Sequence, residues 1–328
     1  MEKFGSIEQF KNVIKQVRDR AKWNGTPLPT LTFIGTCKLH GSNSAYNVAP
    51  DDSYVFQSRE RELSIESDNA GFCMWGERNV DDLNKTIENV RNQTGTKDRI
   101  VVFAEWAGGS IQKGVALNQL PKMFVIFNIT LIDAEGKRTE LTPDQISSVV
   151  HRTDEIKCIY DFKTWKIDID FNDPQAVQNQ LVEWTLEVEK ECPFGKAFGI
   201  SGVGEGIVYV NWDTGLKFKV KGSEHSASKV KTLKEIAAVD IEKMNSIKEL
   251  VNSAVSENRL NQGLDKLGEM GLEIDVKNTG AYIKWIVGDV MKEEKDVIVA
   301  SGFDVKEIMP VVSEAAKKFW FETLNKHD

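Results

Sequence analysis

Near Ser223 the spacing of apolar residues along the chain changes once, and that change limits the folds open to it. A strand shows alternate side chains to opposite faces, whereas a helix brings an apolar residue to the same face every three or four positions. Upstream of Ser223, Leu31 to Thr36, Arg99 to Trp106 and Met123 to Ile132 are short runs of the kind that form buried strands. Two helical patterns lie among them: Ile7, Phe10, Ile14 and Val17, and then Val80, Leu83, Ile87 and Val90. Downstream, Ile236–Val255, Leu260–Met270, Tyr282–Val299 and Val305–Leu324 all repeat at helical spacing. At 328 residues the chain is long for one core. The expected class is α+β: antiparallel sheets with flanking helices over residues 1–233, then an all-helical domain over 234–328. Residues 133–193 read as mixed helix and loop, acidic from Asp161 to Asp173.

The net charge of −8 is unusual for a protein that binds phosphates, which are contacted by Lys and Arg. The positive charge is nevertheless focused. Six lysines and one acid lie between Lys217 and Lys234, whereas acids outnumber bases from Glu235 onward. Four scattered cysteines, Cys37, Cys73, Cys158 and Cys192, form no CxxC pair and suggest reduced thiols. No secretory pattern opens the chain, and no apolar run reaches bilayer length, so a cytoplasmic protein without membrane contact is expected.

The clearest local structure is a hairpin: Ile207–Trp212, the turn Asp213-Thr214-Gly215, and Leu216–Lys221. Its second strand places Leu216, Phe218 and Val220 on one face and Lys217, Lys219 and Lys221 on the other. Further upstream, the strand 31–36 runs into Cys37-Lys38-Leu39-His40-Gly41-Ser42-Asn43. Lys38 there is either an exposed residue of a glycine turn or a nucleophile. A lysine becomes nucleophilic when cationic neighbours or desolvation lower its pKa. A metal site at Cys37 and His40 lacks the second ligand pair that zinc requires.

Four more elements follow in order: Ser58-Arg59-Glu60, Phe103-Ala104-Glu105-Trp106-Ala107-Gly108, Glu205-Gly206, and Lys219-Val220-Lys221. Each alone reads as a solvated strand end or a wet sheet face. As an ordered series the motifs resemble the covalent nucleotidyltransferases, which include polynucleotide ligases and capping enzymes. The Lys-x-His-Gly-Ser-Asn form at 38–43, Glu-Trp-Ala-Gly at 105–108 with Ser110-Ile111-Gln112-Lys113, and Lys219-Val220-Lys221 leading to Ser223 resemble the RNA ligase 2 family, phage-type ATP-dependent RNA ligases.

The resemblance implies a nucleotidyltransferase (ATP-grasp-like adenylation) domain and a helical C-terminal domain. It implies that Lys38 carries AMP, which passes to an RNA 5′-phosphate and is then displaced by a 3′-hydroxyl. Lys219 and Lys221 would neutralise the α-phosphate and keep Lys38 deprotonated. Glu105 would contact the ribose, Arg59 the nucleotide or substrate phosphate, and Phe127 would stack on the base. Cys37, Leu39 and Asn43 would be among the nucleotide contacts. His40 and Asn43 would serve the later steps. Glu205 would serve a divalent cation, Mg²⁺ or Mn²⁺, or its waters. The implied substrates are ATP and RNA, preferably a nicked duplex, handled by a monomer. If the chain is phage-encoded, the cytoplasm is the host's. In two places the sequence departs from the family: Cys37 replaces a glutamate that reads the adenine amino group, and Asn128 an aspartate. A GTP-using capping-type enzyme and a non-catalytic nucleic-acid-binding relative remain the alternative readings.

Overall fold

The chain is seen in a computed structural model that describes residues 1–109, 111, 114–222, 247–300 and 304–327. The boundary expected at 233/234 and the motif positions Ser110, Gln112, Lys113 and Ser223 lie outside these residues. Two compact units are formed, Met1–Val220 and Lys221–Asp328.

The first unit begins with β1 (Glu8–Gln9), α1 (Phe10–Asn24), β2 (Thr30–Cys37), β3 (Ser42–Val48) and β4 (Tyr54–Ser58). Helices α2 (Phe72–Arg78) and α3 (Val80–Thr94) follow, then β5 (Arg99–Ala107), β6 (Met123–Ile132) and β7 (Arg138–Glu140). Next come α4 (Pro143–Val149), β8 (Ile156–Cys158) and β9 (Thr164–Asp170). Helices α5 (Gln178–Lys190) and α6 (Pro193–Ala197) precede the hairpin of β10 (Gly206–Val210) and β11 (Lys217–Lys221). One sheet has the order β1-β11-β10-β2-β9; the other is β4-β3-β5-β6-β7, with β8 parallel beside β6.

The apolar runs form the centre of the second sheet because both of its faces are covered. On one face Val102, Phe124 and Ile126 meet Phe72, Leu83, Ile87 and Ile146 of the helices. On the other, Val101, Phe103 and Ile132 pack with Phe4. In the first sheet Phe218 stacks on Tyr209 at 4.9 Å and meets Phe33 edge-on at 5.1 Å, in one core with Val13 and Val17 of α1. Burying side chains of this size supplies about 1.5–3 kcal/mol each.

The segment 133–193 differs from its sequence reading, because its acidic stretch contains β9, paired with β2 from Thr36↔Thr164 to Thr30↔Asp170. Trp165, Ile167 and Ile169 are buried while Lys166 and Asp168 are exposed, so the charges line the wet face of a strand.

The described regular structure of the second unit is helical: α7 (Ile247–Ala254), α8 (Glu257–Glu269), α9 (Thr279–Ala300) and α10 (Val305–His327). Tyr282 stacks on Trp320 at 4.7 Å, and Trp320 Nε1 donates to Thr279 Oγ1 at 2.8 Å. Arg259 is fully buried. Its guanidinium meets Asp289 at 2.9 Å and Glu294 at 3.1 Å and donates to the Ala254 carbonyl. Removing the arginine takes a fully buried cation away from the carboxylates that it holds. Arg259→Ala is therefore expected to destabilise this unit by about 3–5 kcal/mol. Urea melts of the full chain followed by far-ultraviolet dichroism would measure this, and an unchanged helical transition would contradict it.

Candidate active site

Alternation continues past the end of β2 and sorts the residues around Lys38. Cys37 and Leu39 are buried in the core, while Lys38 and His40 turn to the other side and are half-buried. This leaves Cys37 and Leu39 only backbone groups to offer a nucleotide. Cys37 pairs with Ile207 across the β2–β10 ladder, and the Lys38 N–H donates to the Gly206 carbonyl at 2.8 Å. That register sets Lys38 beside Glu205. Lys38 Nζ lies 2.6 Å from Glu205 Oε2, and His40 Nδ1 lies 3.3 Å from the same oxygen. The Glu205 side chain is only 2% exposed. Its segment is tied down by Gly204 N–H to the Val188 carbonyl at 3.1 Å and by Cys192 N–H to Gly202 at 2.8 Å.

The second sheet contributes from one end. Asn43 pairs with Glu105 across β3 and β5, and Glu105 Oε1 accepts from the Gly41 N–H at 3.0 Å. Gly41 must be glycine, since a Cβ there would sit 2.5 Å from the Trp106 carbonyl. Gly108 combines φ of 99° with a Cβ position 2.2 Å from the Pro121 carbonyl, so the turn after Glu105 also requires glycine. Arg59 follows Ser58, which pairs with Ser44, so it lies at the same sheet end. Its Nε is 3.9 Å from Glu60.

Phe127 owes its direction to a bulge. Phe103 pairs with Asn128 and Ala104 with Ile126, which leaves Phe127 as the extra residue. Its ring meets Phe4 edge-on at 5.0 Å. Asn128 is buried; its Oδ1 accepts from Thr130 at 2.8 Å, and its Nδ2 has no hydrogen-bond partner among the described residues.

Lys219 and Lys221 lie on β11, next to the strand that follows Glu205. Lys217 shares their face but is buried, ion-paired with Glu140 at 2.9 Å and set over the Phe4 ring. The sequence reading did not find Phe4 or Glu140. Their contacts span most of the unit, and no local pattern marks them.

Electrostatically the site runs against one expectation. Burial disfavours the charge on Lys38, but the carboxylates of Glu205 and Glu105 outweigh it, and the pKa is held above its ordinary value. Lysine neighbours were expected to keep Lys38 neutral. Here the nearest charges to the amine are negative, so it is held as an ammonium.

The sequence profile of the RNA ligase family matches residues 31–221, more than half the chain. No curated protein matches it. Among solved structures, a mutant Naegleria gruberi RNA ligase with AMP and manganese superposes with a TM-score of 0.45 at 20% identity over 68% of this chain and 56% of that one. The same ligase with pyrophosphate gives 0.46 at 21% identity, again over 68% and 56%. The chain thus spans a little over half the length of these proteins. The matched span runs from the strand before the lysine to the end of β11 and encloses Lys38, Glu105, Glu205, Lys219 and Lys221, and the chain belongs to the RNA ligase family.

Proposed function

We propose that this chain is an ATP-dependent RNA ligase that carries AMP on Lys38 and seals nicks in duplex RNA. The observation that carries the reading is the convergence of Lys38 and His40 on the buried Glu205, with Glu105 at the facing sheet end. Phosphoryl transfer requires positioning and charge stabilisation more than new covalent machinery, and this arrangement offers both.

In the first step the neutral Lys38 amine attacks the α-phosphorus, forms the P–N bond and expels pyrophosphate, losing a proton. Lys219 and Lys221 balance the charge that develops on the phosphate oxygens. Glu105 and Arg59 hold the nucleotide, and Phe127 offers its ring to the base. AMP then passes to an RNA 5′-phosphate, and a 3′-hydroxyl displaces it as the phosphodiester forms. His40 and Asn43 serve these later steps.

Among the described residues no group of three or more His, Cys, Asp or Glu is arranged to hold a metal ion. One buried carboxylate, Glu205, with Glu105 near the same lysine, suits a cation that keeps most of its waters, as Mg²⁺ does. Bound there, Mg²⁺ or Mn²⁺ would neutralise negative charge on the phosphates and on Glu205.

The protonated state of Lys38 has a pH signature. Its raised pKa means that the neutral, attacking form grows about tenfold per pH unit below that value. Lysyl-AMP formation is therefore expected to rise with pH through the neutral and mildly alkaline range. The stability contributed by the pair has the opposite sense: present at neutral pH, it is lost as pH rises through the folded-state value. A single-turnover rate that falls from neutral to alkaline pH while the protein stays folded would contradict the assignment of Lys38.

Sealing of a 5′-phosphorylated nick in duplex RNA, with ATP or GTP supplied separately, tests the whole reading. Joining with ATP alone is expected; joining with GTP alone would support a capping-type nucleotide choice, and no joining with either would favour a binding role. A truncation after residue 233 is expected to keep lysyl-AMP formation and to lose most nick sealing, because every residue assigned to the nucleotide precedes it. Sealing at the full-length rate would assign the helical unit another job.

A further inference from the structure

Beneath the site lie two thiols that no step above uses. Cys37 ends β2, and Cys192 immediately precedes α6. Their sulfurs are 3.9 Å apart, and the residues are 4% and 1% exposed. The backbone that places them also places the reacting pair. Cys37 is bonded to Lys38, whose N–H is held by the Gly206 carbonyl. The Cys192 N–H holds the Gly202 carbonyl, three residues before Glu205.

We propose that Cys37 and Cys192 are an oxidation site, closed to a disulfide by a hydroperoxide, and that closure disables lysyl-AMP formation at Lys38. Its effect on activity rests on the ligase reading above; the bond itself does not.

The pair is polarised for this chemistry. Cys192 Sγ accepts the Gly195 N–H at 3.4 Å and faces the Cys37 sulfur. Hydrogen bonding from Cys37 outweighs burial and brings the Cys192 thiol down to about 7, while the same contact and burial push Cys37 up. Of the two, Cys192 therefore gives up its proton more readily, and Cys37 is the partner that keeps its own. The Cys192 thiolate attacks one peroxide oxygen, the O–O bond breaks, and a sulfenic acid and hydroxide result. The Cys37 sulfur then attacks the sulfenic sulfur, the S–O bond breaks, and the proton of Cys37 leaves with that oxygen as water. With hydrogen peroxide the balance is two thiols and one peroxide giving one disulfide and two waters.

Closure has a mechanical consequence. A disulfide needs its sulfurs at about 2 Å, so the two must approach by roughly 2 Å. Each is one to three residues from backbone that fixes Lys38 or Glu205. A misplacement of about 1 Å at a reacting group costs on the order of 10²-fold in rate.

The full chain is treated with hydrogen peroxide, its remaining thiols are alkylated, and peptides are mapped by mass spectrometry; a parallel sample is assayed for AMP uptake before and after dithiothreitol. A peptide joining Cys37 to Cys192 is expected. AMP uptake should fall by at least about tenfold in the cross-linked fraction and return on reduction. Cys192→Ser, or Cys192→Ala if serine disturbs folding, should keep its uptake with or without peroxide. Absence of the linked peptide, cross-linked protein labelling at the reduced rate, or equal inhibition of the Cys192 variants would overturn the proposal. Should the reduced wild-type protein take up no AMP, the ligase reading fails, while the linked peptide still decides the thiol pair.

Discussion

Replacing Lys38 with alanine is expected to abolish lysyl-AMP formation and, with it, all sealing that starts from a plain 5′-phosphate. The amine supplies the only P–N bond in the proposed sequence. The fold should survive. The Lys38 side chain is about a fifth exposed, and the carboxylate it leaves, Glu205, keeps His40 at 3.3 Å. The loss should be on the order of 1–3 kcal/mol, the usual penalty for leaving a buried acceptor short of one partner. Closing a nick whose 5′ end already carries AMP bypasses the lysine, so the variant should retain that step. A folded Lys38→Ala protein that still accumulates AMP would sink the assignment of the nucleophile. One that cannot close the adenylylated nick would mean the later steps also need the lysine.

The second large effect separates three lysines on one strand. Lys219→Ala and Lys221→Ala are each expected to slow lysyl-AMP formation by on the order of 10²–10³-fold, as when a charge aimed at a reacting oxyanion is removed. Lys217→Ala should behave differently. That side chain is buried against Phe4 and paired with Glu140, so its loss should lower the melting temperature and leave the chemical step largely intact. Single-turnover AMP transfer and thermal melts on all three variants make the comparison. Equal kinetic defects at equal stability would mean that the strand presents its lysines differently from the motif.

Much of this arrangement could be read along the chain because its signals are local. The runs at 99–106 and 123–132 are buried on both faces, and β10 and β11 flank the turn that Asp213, Thr214 and Gly215 announce. The order of Lys38, Glu105, Glu205 and the lysine pair along the chain marks the candidate site. β9 escaped because its alternation, Trp165, Ile167, Ile169, is set among acids that read as loop. The charge state of Lys38 also escaped. The resemblance implied that Lys219 and Lys221 keep Lys38 deprotonated, but the ladder register brings Glu205 to 2.6 Å, and only three-dimensional pairing reveals that. The Cys37–Cys192 contact is the extreme case: the two residues are 155 positions apart, and nothing in either local sequence announces the other.

The central claim is that AMP becomes covalently attached to one lysine. Incubating the full chain with α-labelled ATP and a divalent cation, denaturing it, and mapping the labelled peptide tests this most directly. The account predicts an acid-labile, denaturation-resistant adduct on Lys38, formed with release of pyrophosphate and discharged when a 5′-phosphorylated nicked duplex is added. Label on another residue, or a folded protein that takes up none under conditions where nicks are sealed, would contradict it.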